Sequence, residues 1–143
     1  MAVFTAEGAT AFVSSEMGAA VTVVDAVLFK PIGTIAITEA SPTPSGPRPM
    51  GLALSPDGKA LYVSTGRGGS VAVVDVASRA QVRSIDGAGN RPWGVALSRD
   101  GALLYTANGT SHDLSVVNLA TGNVDRRVAI GGLPWGVAAS PNN

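Results

Sequence analysis

Arg91-Pro92-Trp93-Gly94-Val95-Ala96-Leu97-Ser98-Arg99-Asp100-Gly101 is written into this chain three times with small changes. The copy before it reads Pro49-Met50-Gly51-Leu52-Ala53-Leu54-Ser55-Pro56-Asp57-Gly58. The copy after it reads Pro134-Trp135-Gly136-Val137-Ala138-Ala139-Ser140-Pro141. The three Pro-x-Gly openings are spaced by 43 and then 42 residues. Two more landmarks keep step. Leu61-Tyr62-Val63 matches Leu104-Tyr105-Thr106, and Val71-Ala72-Val73-Val74-Asp75 matches Leu114-Ser115-Val116-Val117-Asn118. An N-terminal copy aligns at an offset of 50, with Glu7-Gly8 for Asp57-Gly58, Ala11-Phe12-Val13 for Leu61-Tyr62-Val63, and Val21 to Asp25 for Val71 to Asp75. The longer offset is absorbed by the proline-rich connector Thr38 to Arg48.

Each copy reads as four short strands. The first runs from the Pro-x-Gly to the serine. A Pro-Asp-Gly type turn follows, tight because glycine takes positive φ without a Cβ clash. The second strand holds the Leu-Tyr-Val string. A glycine-rich loop leads to the third, which is rich in β-branched residues. A turn such as Ala120-Thr121-Gly122-Asn123 leads to the fourth. No stretch sustains the 3.6-residue apolar period of an amphipathic helix. Four-stranded units of about 40–45 residues are blades of a β-propeller, so the fold class is all-β. The chain is expected to form one propeller segment over 1–143: blade 1 over about 2–47, blade 2 over about 48–90, blade 3 over about 91–133, and strand one of a further repeat over 134–140.

Composition agrees. The chain is 45% hydrophobic and 14% charged, with 18 glycines and 9 prolines among 143 residues, the profile of a turn-rich folded β protein. Ten basic and ten acidic residues cancel, so nothing global favours nucleic acid or an anionic membrane. No cysteine is present, which excludes disulfides, thiolate metal sites and cysteine nucleophiles. No apolar run approaches the roughly 20 residues of a membrane-spanning helix. The first residues run straight into strand-like sequence, with no basic region before a long apolar core, so no signal peptide is expected here.

The strings Arg91 to Ser98, Ala60-Leu61-Tyr62-Val63-Ser64 and Ser70 to Ala77 resemble the YVTN-type propeller repeat. That family includes surface-layer-like proteins and the β-propeller proteins associated with PQQ-dependent alcohol catabolism, which the chain resembles most. The literal tetrapeptide is absent; Tyr62-Val63-Ser64-Thr65 and Tyr105-Thr106-Ala107-Asn108 stand in its place. The resemblance implies a non-catalytic binding or scaffold propeller, bacterial and, in full-length form, periplasmic or extracellular. It leaves two other readings open: part of a propeller enzyme of the lactonase or the quinoprotein and haem-associated kind, or a surface-layer structural repeat.

Three blades are too few to close a ring, since closed propellers have 4 to 8. Two readings follow: the chain is the C-terminal part of a longer propeller, or it self-associates, and the second is the one expected here, as a homodimer completing a six-bladed ring with Trp135 to Ser140 completing the partner's first blade. Strand one of a blade lines the central channel, and its four-to-one connections share a face with the two-to-three loops. Arg48, Arg67, Arg91, Trp93, Asn108, His112 and Trp135 fall on that face, with Asp113 beside them. Arginines and indoles around a channel mouth suit a small anion or carboxylate. The competing reading packs the tryptophans between blades and leaves the arginines solvated. His112 is the only histidine, which excludes a His-rich metal site, and neighbours such as Ser111-His112-Asp113 seldom have triad geometry. Gly66-Arg67-Gly68-Gly69 leads into a strand, not a helix, and reads as a turn rather than a phosphate loop. Asp57 and Asp100 recur in the hairpin turns and read as structural. No catalytic residue, metal or cofactor is expected.

Overall fold

The computed structural model describes residues 1–39 and 43–140; part of the connector to blade 2 lies outside them. Three four-stranded antiparallel sheets follow one another along the chain. Blade 1 comprises β1 (Ala2–Phe4), β2 (Thr10–Ser15), β3 (Ala20–Asp25) and β4 (Lys30–Ala36). Blade 2 comprises β5 (Leu52–Leu54), β6 (Ala60–Ser64), β7 (Val71–Asp75) and β8 (Ala80–Ile85). Blade 3 comprises β9 (Pro92–Leu97), β10 (Leu103–Asn108), β11 (Asp113–Asn118) and β12 (Val124–Ala129). In each sheet spatial order follows chain order, as a meander of short hairpins requires. The only helical turn among the described residues is a single 3-10 turn at Gly66–Gly68, and no helix is long and apolar enough to cross a membrane.

Strand alternation sends one set of side chains to each face of a blade. Between blades 1 and 2, Phe12, Val21, Val23 and Ile35 meet Leu52, Leu61, Val63 and Val74. Between blades 2 and 3, Tyr62, Val71, Val73 and Ile85 meet Val95, Leu104 and Val117. The second interface is the first shifted by one repeat. Each third-to-fourth strand pairing carries an irregularity at the same place, after Val23, Val73 and Val116, which increases the local twist. Blade 2 is thus covered on both faces, whereas blades 1 and 3 each show one open face.

The segment 134–140 pairs with no sheet among the described residues, so strand one of a further repeat is present in position but not in pairing. A Cβ placed on Gly94 would lie 2.7 Å from the Gly136 Cα and 3.1 Å from the Trp135 carbonyl. One placed on Gly51 would lie 2.4 Å from the Trp93 carbonyl. The glycine of Pro-x-Gly is therefore the point where the next inner segment crosses, and only glycine admits it. Val137 and Ala139 are half-buried while Ala138 is exposed, the alternation of a strand lying against blade 3 with its hydrogen-bonding partner missing.

Candidate mouth of the channel

Hydrogen bonds tie the inner strands together at one end of the channel. The Ser14 hydroxyl donates to the Met50 carbonyl at 2.8 Å, and the Ser64 hydroxyl to the Trp93 carbonyl at 2.8 Å. Ser64 also accepts from the Gly51 amide at 2.7 Å. The equivalent third position is Ala107, so the Trp135 segment lacks this tether. Met50, Trp93 and Trp135 thereby occupy one register position in successive repeats. With Ser14, Glu16 and Pro49 they line a cavity of about 360 Å³.

The two indoles stack at 4.5 Å between ring centroids with a 42° tilt. Trp93 is half-buried, its ring lying over Gly109, where a Cβ would meet the ring at 2.3 Å. Trp135 is 65% exposed, so one face of the pair is open to a ligand. The Arg91 guanidinium carbon lies 5.9 Å from the Trp93 ring centroid, a cation–π contact. Arg91 holds a left-handed backbone with φ of 54°, which turns it toward that ring. The Arg48 amide donates to the Thr65 carbonyl at 2.8 Å, and its guanidinium contacts the Met17 sulfur. Arg67 is exposed on the single helical turn, and that turn packs at Gly66 against Arg48 and Met50. Arg91 lies by Trp93 and Arg48 by Met50, next to the paired indoles; Trp93 packs on Gly109 while Trp135 faces outward.

Asn108 lies elsewhere in this arrangement. It is fully buried, and its amide donates to Asp113 at 2.7 Å and to the Ser115 hydroxyl at 2.9 Å, while its oxygen accepts from Thr106 at 2.9 Å. Asp113 also accepts from Ser111 and pairs with Arg127 at 3.2 Å. Burial alone would raise the Asp113 pKa, but the hydrogen bonds from Asn108 and Ser111 and the Arg127 charge outweigh it and hold the carboxyl below its ordinary value. This network closes the loop between β10 and β11, as the Thr65–Ser70 pair does in blade 2. His112 is exposed with φ of 58°, and its Nδ1 donates to the Gly132 carbonyl at 2.9 Å. Ser111 turns to Asp113 and His112 turns to the chain beyond β12, so the three neighbours form no relay. Among the described residues no three His, Asp or Glu side chains gather where they could hold a metal.

Asp57 and Asp100 make the same turn twice. Asp57 accepts from the Ser55 hydroxyl at 2.6 Å and the Lys59 amide at 3.1 Å; Asp100 accepts from Ser98 at 2.6 Å and the Ala102 amide at 3.0 Å. These bonds, the serine hydroxyl first, lower both carboxyl pKa values. Glu16, Ser14 and Met50 are mouth residues that the sequence reading passed over. Met50 was within its reach, because it fills the place of Trp93 in the Pro-x-Gly register.

Sheet order, blade register and the inner-strand mouth define a segment of a β-propeller. A family model described as lactonase, seven-bladed β-propeller, matches residues 2–133, and the chain belongs to that family. No curated protein sequence matches it. Among solved structures it is similar to hydrazine synthase of Kuenenia stuttgartiensis, at 28% identity and a TM-score of 0.84 over 97% of this chain and 38% of that one. A Bacteroides fragilis structure described as a candidate 6-phosphogluconolactonase matches at 21% identity and a TM-score of 0.74, over 95% of this chain and 40% of that one. U3-55K matches at 18% identity and a TM-score of 0.76, over 96% and 41%. The last two likenesses concern the fold alone. The chain spans about two-fifths of the length of each of these structures.

Proposed function

We propose that the chain forms part of a propeller that binds a ligand without transforming it, at the channel mouth built on Trp93 and Trp135. The observation that carries this reading is the 360 Å³ cavity floored by Met50 and the paired indoles, with the Arg91 guanidinium over Trp93 and Arg48 two residues before Met50 in the chain. An apolar, polarisable floor beside guanidinium groups suits a small carboxylate with a flat or aliphatic body. The YVTN-type resemblance supports a bacterial protein working in the periplasm or outside the cell. Further blades complete the ring in the working protein.

Trp93 and Trp135 are the only tryptophans in this sequence, so fluorescence excited selectively at tryptophan reads the mouth. Titration with succinate and longer dicarboxylates is expected to give a saturable change that their diamides do not give. Arg48→Ala with Arg91→Ala is expected to abolish it. No saturable change, or one that survives the double substitution, removes the proposal.

A second reading, lactone hydrolysis by the completed ring, is favoured by the family match. It places the reacting groups on blades other than these three. Loss of a small lactone at a rate above solvent, followed by acid release at constant pH, distinguishes it from binding alone.

A further inference from the structure

The connector that delivers Arg91 to the mouth is held along its length by blade 3. It leaves β8 after Ile85 and enters β9 at Pro92. The Arg127 guanidinium, on the outermost strand of blade 3, donates to the Gly87 carbonyl. The Ala88 carbonyl accepts from the Thr106 hydroxyl at 3.0 Å and the Ser115 hydroxyl at 2.6 Å. Gly89, with φ of 140°, lies against the Asn108 amide group, where a Cβ would come within 2.1 Å. The Asn90 amide donates to the Ser111 hydroxyl at 3.2 Å, and its carbonyl accepts from the Thr110 amide at 3.3 Å. The Arg91 carbonyl accepts from the Gly109 amide at 3.0 Å. Every residue from Gly87 to Arg91 is thus fixed by a group of blade 3. The last of them holds φ of 54° and sets its guanidinium over Trp93.

One charged pair anchors this arrangement at its outer end. Arg127 gives one arm to Asp113, at 3.2 Å, and the other to the Gly87 carbonyl. A guanidinium presents its donors in a fixed fork, so holding one partner aims the other. Asp113 is tied in turn to Asn108, under Gly89, and to Ser111, beside Asn90. The pair is peculiar to blade 3. The repeat positions of Asn108, Asp113 and Arg127 hold Thr65, Ser70 and Ser84 in blade 2, and Ser15, Ala20 and Thr34 in blade 1. The connector into blade 2 is longer, and the Arg48 that it delivers is held by its amide on the Thr65 carbonyl.

We infer that Arg127 and Asp113 are positioning residues of the mouth: through Gly87 they hold the connector, and the connector holds Arg91 over Trp93. A left-handed backbone at a non-glycine residue is costly and persists only where its surroundings impose it. Without the clamp Arg91 relaxes to negative φ, and its side chain swings off the indole. An anion at the mouth then loses a guanidinium partner. Affinity at the innermost strand is therefore set in part from the outermost one, by residues that touch no ligand. The consequence for affinity rests on the ligand site proposed above; the placement of Arg91 does not.

Two readouts on the full chain keep these apart. Succinate affinity is read by tryptophan fluorescence. The placement of Arg91 is read by NMR of its Nε–H proton, which the Trp93 ring current displaces and which is assigned by its loss in Arg91→Ala. Arg127→Ala is expected to weaken succinate binding by roughly tenfold, as loss of one charge-assisted contact does. It is also expected to move the Arg91 proton to the position of solvated arginines. Arg126→Ala, one residue away on the same strand, is expected to change neither. On an Arg91→Ala background, Arg127→Ala is expected to add no further loss, because both act through one guanidinium. Arg127→Gln keeps an amide donor but not the fork; it is expected to behave as Arg127→Ala and supplies the reading where the alanine variant does not fold. An equal loss with and without Arg91, an unmoved Arg91 proton, or the same effect from Arg126→Ala each overturns the inference. If the parent chain binds no succinate, the ligand reading falls alone, and the Arg91 proton still decides for or against the clamp.

Discussion

Backbone sign at single positions governs much of the local stability. The first turn of each blade ends on Gly8, Gly58 and Gly101, with φ of 73°, 71° and 71°. Gly58→Val and Gly101→Val are expected to destabilise by about 1–3 kcal/mol in denaturant melts, because a β-branched residue is penalised there. Gly101→Val is expected to be the worse of the two. Its Cβ meets the Pro56 ring at 3.0 Å, whereas nothing lies within 4 Å at Gly58. In the last turn of each blade the left-handed position holds Phe29, Arg79 and Gly122. Phe29→Gly is expected to stabilise the monomer by about 1 kcal/mol by relieving that backbone. Equal melting of Phe29→Gly and Phe29→Ala would contradict this. The carboxyls of Asp57 and Asp100 give a pH dependence with a definite sign. Their folded pKa values lie below the ordinary 3.8, so the stability they contribute is present above that value and is lost as pH falls through the folded ones. Ser55→Ala with Ser98→Ala is expected to flatten the decline of the melting temperature between about pH 4 and pH 2. The turn glycines and aspartates were legible in the sequence because they repeat. The strained φ of Phe29 and Arg91 was not, since no residue type there announces it.

Strand two of each blade ends in a polar residue whose partners differ from blade to blade. Ser64 links the Gly51 amide to the Trp93 carbonyl, and Ser64→Ala is expected to cost about 1–3 kcal/mol by leaving a buried group unpaired. One position on, Asn108 replaces the Thr65 of blade 2 and carries the network with Asp113 and Ser115. Asn108→Asp is expected to be more destabilising at neutral pH than Asn108→Ala, because it sets a second carboxylate against Asp113, and to recover as pH is lowered. Unchanged relative stability of the two variants across pH would contradict that network. Here the sequence was read less well. Asn108 belongs to the correct end of the blade, but whether such a residue points into the channel or into the sheet depends on the loop that follows, and nothing in the repeat states it. The Trp93 and Trp135 positions were legible, because Pro-x-Gly marks where one inner strand crosses the next.

The three consecutive blades are unequally covered. Blade 2 buries Leu52, Leu61 and Val63 on one side and Tyr62, Val71 and Val73 on the other, while blades 1 and 3 each present one face to solvent. The period and the four-strand unit were legible from three landmarks held in register. The place of 134–140 was not, because a first strand is held by pairing with the strand after it, and among the described residues none lies beside it. Stability follows coverage: opening a strand buried on both faces exposes more apolar surface than opening one buried on a single face. Amide hydrogen exchange, followed by mass spectrometry at a concentration where the chain is monomeric, tests this arrangement most directly. Val71 to Val74 of β7 are expected to be the slowest to exchange, ahead of the matching Val21 to Val24 and Leu114 to Val117, with 134–140 exchanging freely. Equal protection of all three blades, or a tail as protected as β9, would contradict a chain of successive blades with blade 2 at its centre.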